Sequence, residues 1–197
     1  MKGEHSAMPD AAVAHYHLPG LFEFYDFYRA KMLAPWAEPN AAHRKLAQWE
    51  QEGRLKAVIT QNIDGLHQKA GSREVLELHG SVLRNYCERC GAFYGLDTIL
   101  HSTGVPRCPA CGGDIKPDVV LYEESLDQEV LAKAVHYIRQ ADLMIIGGTS
   151  LVVYPAAGLV QYFRGRHLVV VNKGQVGSNV GADLTINGPI GQVFSQL

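Results

Sequence analysis

Long apolar runs are missing from this chain. The longest, Leu143 to Ile146 and Leu168 to Val171, are far too short to span a bilayer, and the first residues hold no apolar core of a secretory signal. An excess of basic charge is missing as well: 18 Lys and Arg stand against 20 Asp and Glu, a formal net charge of −2. That balance gives no electrostatic case for binding a phosphate backbone, so no direct nucleic-acid partner is expected. These absences predict a soluble cytoplasmic protein with neither a membrane nor a nucleic acid among its partners. Cysteine is scarce too, with only 4 in 197 residues, but all four are concentrated in one segment.

Those cysteines form two Cys-x-x-Cys hooks, Cys87 with Cys90 and Cys108 with Cys111, separated by 17 residues. The spacing falls in the range of a four-thiolate zinc site. Each hook turns two sulfurs toward one centre, and two hooks complete the tetrahedral shell that zinc prefers. Gly91 follows the first hook and Gly112-Gly113 the second, where the backbone must turn sharply. Two disulfides are the competing reading, which the spacing and the absence of a secretory signal disfavour. A closed four-sulfur shell leaves no position for water, so the zinc is expected to be structural. Arg84, Arg89, Arg107 and Lys116 near the hooks are interspersed with Glu88, Asp114 and Asp118 and make no basic run.

The rest of the chain alternates helices with short apolar strands. Residues 1–20 show no clear period and read as a poorly ordered lead-in. Phe22, Phe24, Tyr25, Phe27 and Tyr28 are too dense for a solvated surface and predict a helix ending before Pro35. Asn40 caps a second helix, which Gly53 stops, and His43 within it reads as a packing or surface residue. Leu55 to Thr60, Leu143 to Ile146 and Leu168 to Asn172 have the β-branched character of parallel strands buried on both faces. Between Ser125 and Ala141 an amphipathic helix begins near Asp127, with Leu131, Val135 and Ile138 as its inner face; another lies between Pro155 and Phe163. The rhythm predicts an α/β fold: a Rossmann-like doubly wound parallel sheet formed by residues 21–83 and 119–197, with a small four-cysteine zinc module inserted at 84–118.

In such sheets, ligands sit outside the carboxyl ends of the strands. The predicted strands deliver Gln61-Asn62-Ile63-Asp64, then Gly147-Gly148-Thr149-Ser150, then Asn172-Lys173. Glycines beside hydroxyls let backbone N–H groups approach phosphate or ribose oxygens. Taken alone, Gly147 to Ser150 reads as a tight turn, and Asn62 and Asp64 as a self-capped loop. Three polar strand ends in one sheet shift the balance toward a ligand.

The run Thr60 to His67, then Glu77-Leu78-His79-Gly80-Ser81, the paired hooks, Pro117-Asp118-Val119-Val120, Gly148-Thr149-Ser150-Leu151, Pro155-Ala156 and Asn172-Lys173 resembles, in order, the sirtuin family of NAD-dependent protein deacylases, with its bacterial members the nearest in character. The resemblance implies that NAD, as co-substrate, and the acylated lysine of a protein meet in the cleft between the two domains, beside structural zinc. It makes His79 the catalytic histidine, taking a proton from the nicotinamide-ribose hydroxyls after the acyl oxygen has attacked the anomeric carbon. An imidazole titrating near neutrality suits that role. Gln61, Asn62 and Asp64 match the ribose and carboxamide contacts. Gly148, Thr149 and Ser150 match the phosphate and ribose loop, Asn172 and Lys173 the adenosine-ribose contacts, and Asp183 and Leu184 the segment flanking the adenine. Val119, Val120, Leu121 and Tyr122 match the edge that lines the acyl-lysine tunnel and takes the substrate backbone as an added strand.

Two departures from the family pattern stand out. Many members read Phe-Gly-Glu where this chain has Leu121-Tyr122-Glu123, which leaves acyl-chain preference open. Members also begin with a strand entering a Gly-Ala-Gly loop and a Pro-Asp-Phe-Arg segment, neither of which appears in Met1 to Leu21. The sequence therefore predicts a sheet lacking its first βα unit, with a partner or further segment completing it, and weak NAD binding by the chain alone. Two functions follow. One is transfer of the acyl group from lysine to ADP-ribose with release of nicotinamide; the other is a catalytically impaired, zinc-containing module that binds acyl-peptide or nucleotide.

Overall fold

A computed structural model describes residues 20–121, 124–149, 156–174 and 181–197. In chain order the elements are α1 (Leu21–Phe27), running on into a π-helical turn at Tyr28–Met32, α2 (Ala41–Gln51), β1 (Val58–Thr60), α3 (Leu66–Lys69), β2 (Val75–Glu77) and β3 (Gly80–Cys87). They continue with β4 (Phe93–Tyr94), α4 (Leu96–Leu100), β5 (Ile115–Val119), α5 (Gln128–Gln140), β6 (Leu143–Gly147), a 3-10 helix at Ala156–Tyr162, β7 (His167–Asn172), β8 (Leu184–Asn187) and α6 (Ile190–Phe194). No helix among the described residues is long and apolar enough to cross a membrane. The chain forms two compact units. One comprises the described residues up to Trp36 together with His79–Ser125; the other, those of Ala37–Leu78 and Leu126–Leu197.

The parallel-sheet unit holds two ladders. β1 pairs with β2 in parallel, and β6, β7 and β8 form a second parallel set in that order. Alternation along β7 explains its two-sided burial: Val169 and Val171 face a cluster with Ala42, Phe194, Leu46 and Trp49, while Leu168 and Val170 face one with Val160 and Phe163. Thus α2 and α6 cover one face and the 3-10 helix the other. Asn40 starts α2 by accepting from the N–H groups of Ala42 (2.9 Å) and His43 (3.2 Å). Asp127 does the same for α5 with Glu129 and Val130. The most buried positions of α5 are Ala134 and Ile138, whereas Leu131 and Val135 are half-buried. Residues 156–162 wind as a 3-10 rather than an α-helix; the stretch is short and carries Gly158, and both features weaken an α-helix.

The cysteine unit is an antiparallel sheet in the order β4-β3-β5, with α1 packed into its core. Phe24 and Tyr25 are fully buried and Tyr28 nearly so, with ring contacts at 5.1 and 5.5 Å. The Tyr25 hydroxyl donates to the Ile115 carbonyl, and Arg29 Nη1 donates to Ser102 Oγ (3.0 Å) and to the Gly104 carbonyl (2.9 Å). These bonds group α1 with the cysteines, although the sequence division assigns residues 21–83 to the nucleotide-binding domain. A linear sequence marks α1 as buried without marking what buries it.

Candidate functional site

The two cysteine hooks share one backbone form. Gly91 N–H donates to the Cys87 carbonyl (2.9 Å) and Gly112 N–H to that of Cys108 (2.8 Å), with both glycines left-handed at φ 71°. The four sulfurs lie within 4.8 Å of one another, the one such metal-ligand cluster among the described residues. Cys87 and Cys111 approach to 3.4 Å and Cys90 and Cys108 to 3.7 Å. Tetrahedral Zn–S bonds of about 2.3 Å place sulfurs roughly 3.8 Å apart, so the set fits zinc. A disulfide would need about 2.05 Å, and all four cysteines are free. Gly113 belongs to the fit: a Cβ there would stand 3.0 Å from the Cys87 sulfur and 2.8 Å from the Arg89 Cβ. The Tyr94 hydroxyl lies 2.9 Å from Cys108 Sγ, and that hydrogen bond leads in pulling the Cys108 thiol down to about 6. A lowered thiol supplies the thiolate that a metal needs.

His79 immediately precedes β3 in the same unit. Its carbonyl accepts from the Val120 N–H (3.1 Å), and Gly80 pairs with Val119, so the histidine sits beside the strand edge at Val119 and Val120. Gly80 is left-handed at φ 74°, and a side chain there would collide with the Asp118 carbonyl, which is why glycine follows His79. Leu121 is half-buried next in line; Tyr122 lies outside the described residues.

In the parallel-sheet unit, the loop after β1 is self-braced. Asn62 N–H donates to Thr60 Oγ1 (3.0 Å) and Leu66 N–H to Asp64 Oδ1 (2.9 Å), with Gly65 left-handed. Asn62 is exposed, and Gln61 and Asp64 are half-buried. At the carboxyl ends of β6 and β7, Gly148, Asn172 and Lys173 line a cavity of about 560 Å³ with Asn40, Ala41 and the stretch Pro189–Gln192. Gly148 N–H donates to the Val171 carbonyl, which locks the turn beneath this cavity. Thr149 follows it, and Ser150 lies outside the described residues.

A family model described as the Sir2 family matches residues 8–155. A curated relative from Clostridium perfringens (strain 13 / Type A), named an NAD-dependent protein deacetylase, is 58% identical over 176 residues, covering 89% of this chain and 72% of the relative. The chain belongs to the Sir2 family. A relative from Thermococcus kodakarensis, named an NAD-dependent protein deacylase, is 41% identical across 100% of this chain and 78% of its own length. Among solved structures, a Sir2–p53 peptide–NAD+ complex superposes with a TM-score of 0.87 at 40% identity, covering 100% of this chain and 83% of that one. The fold is therefore the Rossmann-like α/β fold of the Sir2 family with a four-cysteine module.

Within this Sir2 fold the site residues named from sequence fall into three places. His79, Val119, Val120 and Leu121 come together; so do Gly148, Asn172 and Lys173; the loop from Gln61 to Asp64 stands at the end of the separate β1–β2 ladder. Asp183 and Leu184 are not brought to the cavity. Asp183 Oδ2 accepts from the Leu168 N–H (2.7 Å), and Leu184 starts β8, so both mark the amino ends of strands whose carboxyl ends carry Asn172 and Asn187. The sequence reading missed Asn40 and Pro189–Gln192. The missed signal is a fourth polar strand end, Asn187-Gly188-Pro189, after a strand too short and too exposed to show a period.

His43 and His67 meet beside this loop with ring centroids 4.6 Å apart. Burial lowers the pKa of both, that of His67 to about 4, with the neighbouring His43 adding to the shift and Asp64 opposing it. His67 Nδ1 is buried without a partner. A histidine with a depressed folded pKa binds fewer protons than the unfolded chain, so stability is present above the ordinary value of 6.5 and lost as pH falls toward about 4. In His67→Gln, urea denaturation midpoints at about pH 7 and about pH 4.5 should differ less than in the parent. An unchanged difference would contradict the burial of a neutral His67.

Proposed function

We propose that this Sir2-family chain is an NAD-dependent protein-lysine deacylase: acyl-lysine, NAD and water give free lysine, nicotinamide and an acylated ADP-ribose. The observation that carries the reading is the pairing of β3 with β5, which sets His79 beside the edge at Val119 and Val120. A base within reach of a strand edge suits a reaction on a side chain of an extended peptide. The printed names of the relatives and the peptide–NAD+ complex support the same reading.

In this assignment His79 accepts the proton released in the acyl transfer, and Val119 to Tyr122 hold the acyl-lysine segment. Gln61, Asn62 and Asp64 orient the ribose and carboxamide of NAD, while Gly148, Thr149, Ser150, Asn172 and Lys173 take its phosphate and adenosine side. Bound NAD supplies the activated anomeric carbon. The adenosine end is assigned to the 560 Å³ cavity, which adds Asn40 and Pro189–Gln192 in place of Asp183 and Leu184. Four free cysteines placed to share one metal suit a cytoplasmic location. The test is an acetyl-lysine peptide incubated with the protein with and without NAD. Deacetylation should require NAD and match nicotinamide release one for one; equal deacetylation without NAD would contradict the proposal.

A further inference from the structure

The strand edge beside His79 is held by a charged pair that the assignment above does not use. Lys116 lies within β5, and its Nζ donates to the carbonyl of Val119 (3.3 Å) and to Glu124 Oε2 (3.2 Å). Glu124 Oε2 in turn accepts from the N–H of Leu121 (2.9 Å), and Glu124 N–H donates to the Leu121 carbonyl (3.1 Å). One ion pair therefore ties down the backbone of residues 119 and 121, on either side of Val120. Val120 itself is fixed by donating its N–H to the carbonyl of His79, just before β3. The Lys116 side chain is 20% exposed and that of Glu124 34% exposed. Val119 and Val120 open onto a cavity of about 230 Å³ whose wall includes both charged residues and Tyr86.

We infer that Lys116 and Glu124 are positioning residues for the acyl-lysine substrate. They hold Val119 to Leu121 in the shape that receives the peptide, so binding does not have to order that segment. Pre-ordering a loop raises affinity by removing its entropy cost from the binding step. Hydrogen bonds to charged groups are the stronger kind, so loss of the carboxylate should be felt clearly. The inference rests on the reading of Val119 to Leu121 as the substrate edge, and the experiment separates the two.

Affinity for a fluorescent acetyl-lysine peptide is measured by anisotropy, with zinc content and thermal midpoint recorded for every variant. Glu124→Ala, which loses both bonds, should weaken binding about tenfold or more; Glu124→Gln, which keeps an acceptor for Leu121 but loses the charge, should fall between it and the parent. Lys116→Met should weaken binding as Glu124→Gln does, and Lys116→Arg should restore it to within about twofold, a rescue that a merely structural lysine would not require. Val120→Asp tests the edge itself and should weaken binding by more than about tenfold. If Val120→Asp weakens binding while Glu124→Ala and Glu124→Gln leave it unchanged or tighter, the positioning role is overturned and the edge stands. If neither position matters, or the parent binds no acetyl-lysine peptide, the edge reading fails and the inference with it. Weakening at Glu124 without weakening at Val120 also overturns the inference, because the effect would not pass through the edge. If Glu124→Ala loses zinc or does not fold, the comparison of Glu124→Gln with Lys116→Arg decides.

Discussion

His79→Ala is expected to lower the rate of deacylation by about 10²- to 10⁴-fold, the range lost with a positioned general base, while leaving zinc content and the thermal midpoint near those of the parent. The split is expected because several backbone bonds at this corner survive the substitution. The His79 carbonyl pairs with Val120, Gly80 pairs with Val119, and Ser81 with Asp118, and none of these bonds depends on the imidazole. The rate loss should appear in kcat at saturating peptide and NAD. Equal turnover by variant and parent would remove His79 from the chemistry; a large loss of zinc or a collapse of the thermal midpoint would show that it is a structural residue instead.

Removal of zinc should have the largest effect on stability. The hooks hold the carboxyl end of β3 and the approach to β5: Cys87 N–H donates to the Ala92 carbonyl, Glu88 N–H to that of Asp114, and Cys108 N–H to that of Gly113. Without metal, four sulfurs are left facing one another within 4.8 Å with no ion to bridge the two hooks. Structural zinc contributes on the order of 10 kcal/mol in small modules. Chelation, or Cys108→Ser, is therefore expected to lower the thermal midpoint by about 10 °C or more and to abolish deacylation. Tyr94→Phe, which removes the hydrogen bond to Cys108, should weaken zinc binding by about tenfold and leave the fold intact when zinc is in excess. A protein that stays folded and active with no zinc by elemental analysis would contradict the structural role.

What could be read from the sequence follows from how local each feature is. The cysteine hooks, the caps at Asn40 and Asp127 and the helix stop at Gly53 are set by neighbours a few residues away, and their spacing shows it. The strand His167–Asn172 shows in the sequence because burial on both faces leaves an unbroken apolar run, whereas Leu143–Gly147, an equally apolar run, lies at the sheet edge with Leu143 half exposed and only Ile146 buried. By contrast, β8 reads Leu-Thr-Ile-Asn with three of its four residues exposed, so no periodicity marks it, and the cavity residues after it stayed hidden. Asp183 matched a motif by position, but the Leu168 N–H, distant in sequence, claims its carboxylate. The placement of α1 with the cysteines and the Lys116–Glu124 pair likewise depend on contacts between segments far apart or between side chains and carbonyls. Composition and period carry neither.

The most direct measurement is mass spectrometry of the products formed from an acetyl-lysine peptide labelled in its acetyl group, with NAD and the purified protein. The label should leave the peptide on ADP-ribose, with nicotinamide, deacetylated peptide and acetyl-ADP-ribose in equal amounts. Label recovered only as free acetate from the start of the reaction, with no acetyl-ADP-ribose at any time, would contradict transfer to ADP-ribose.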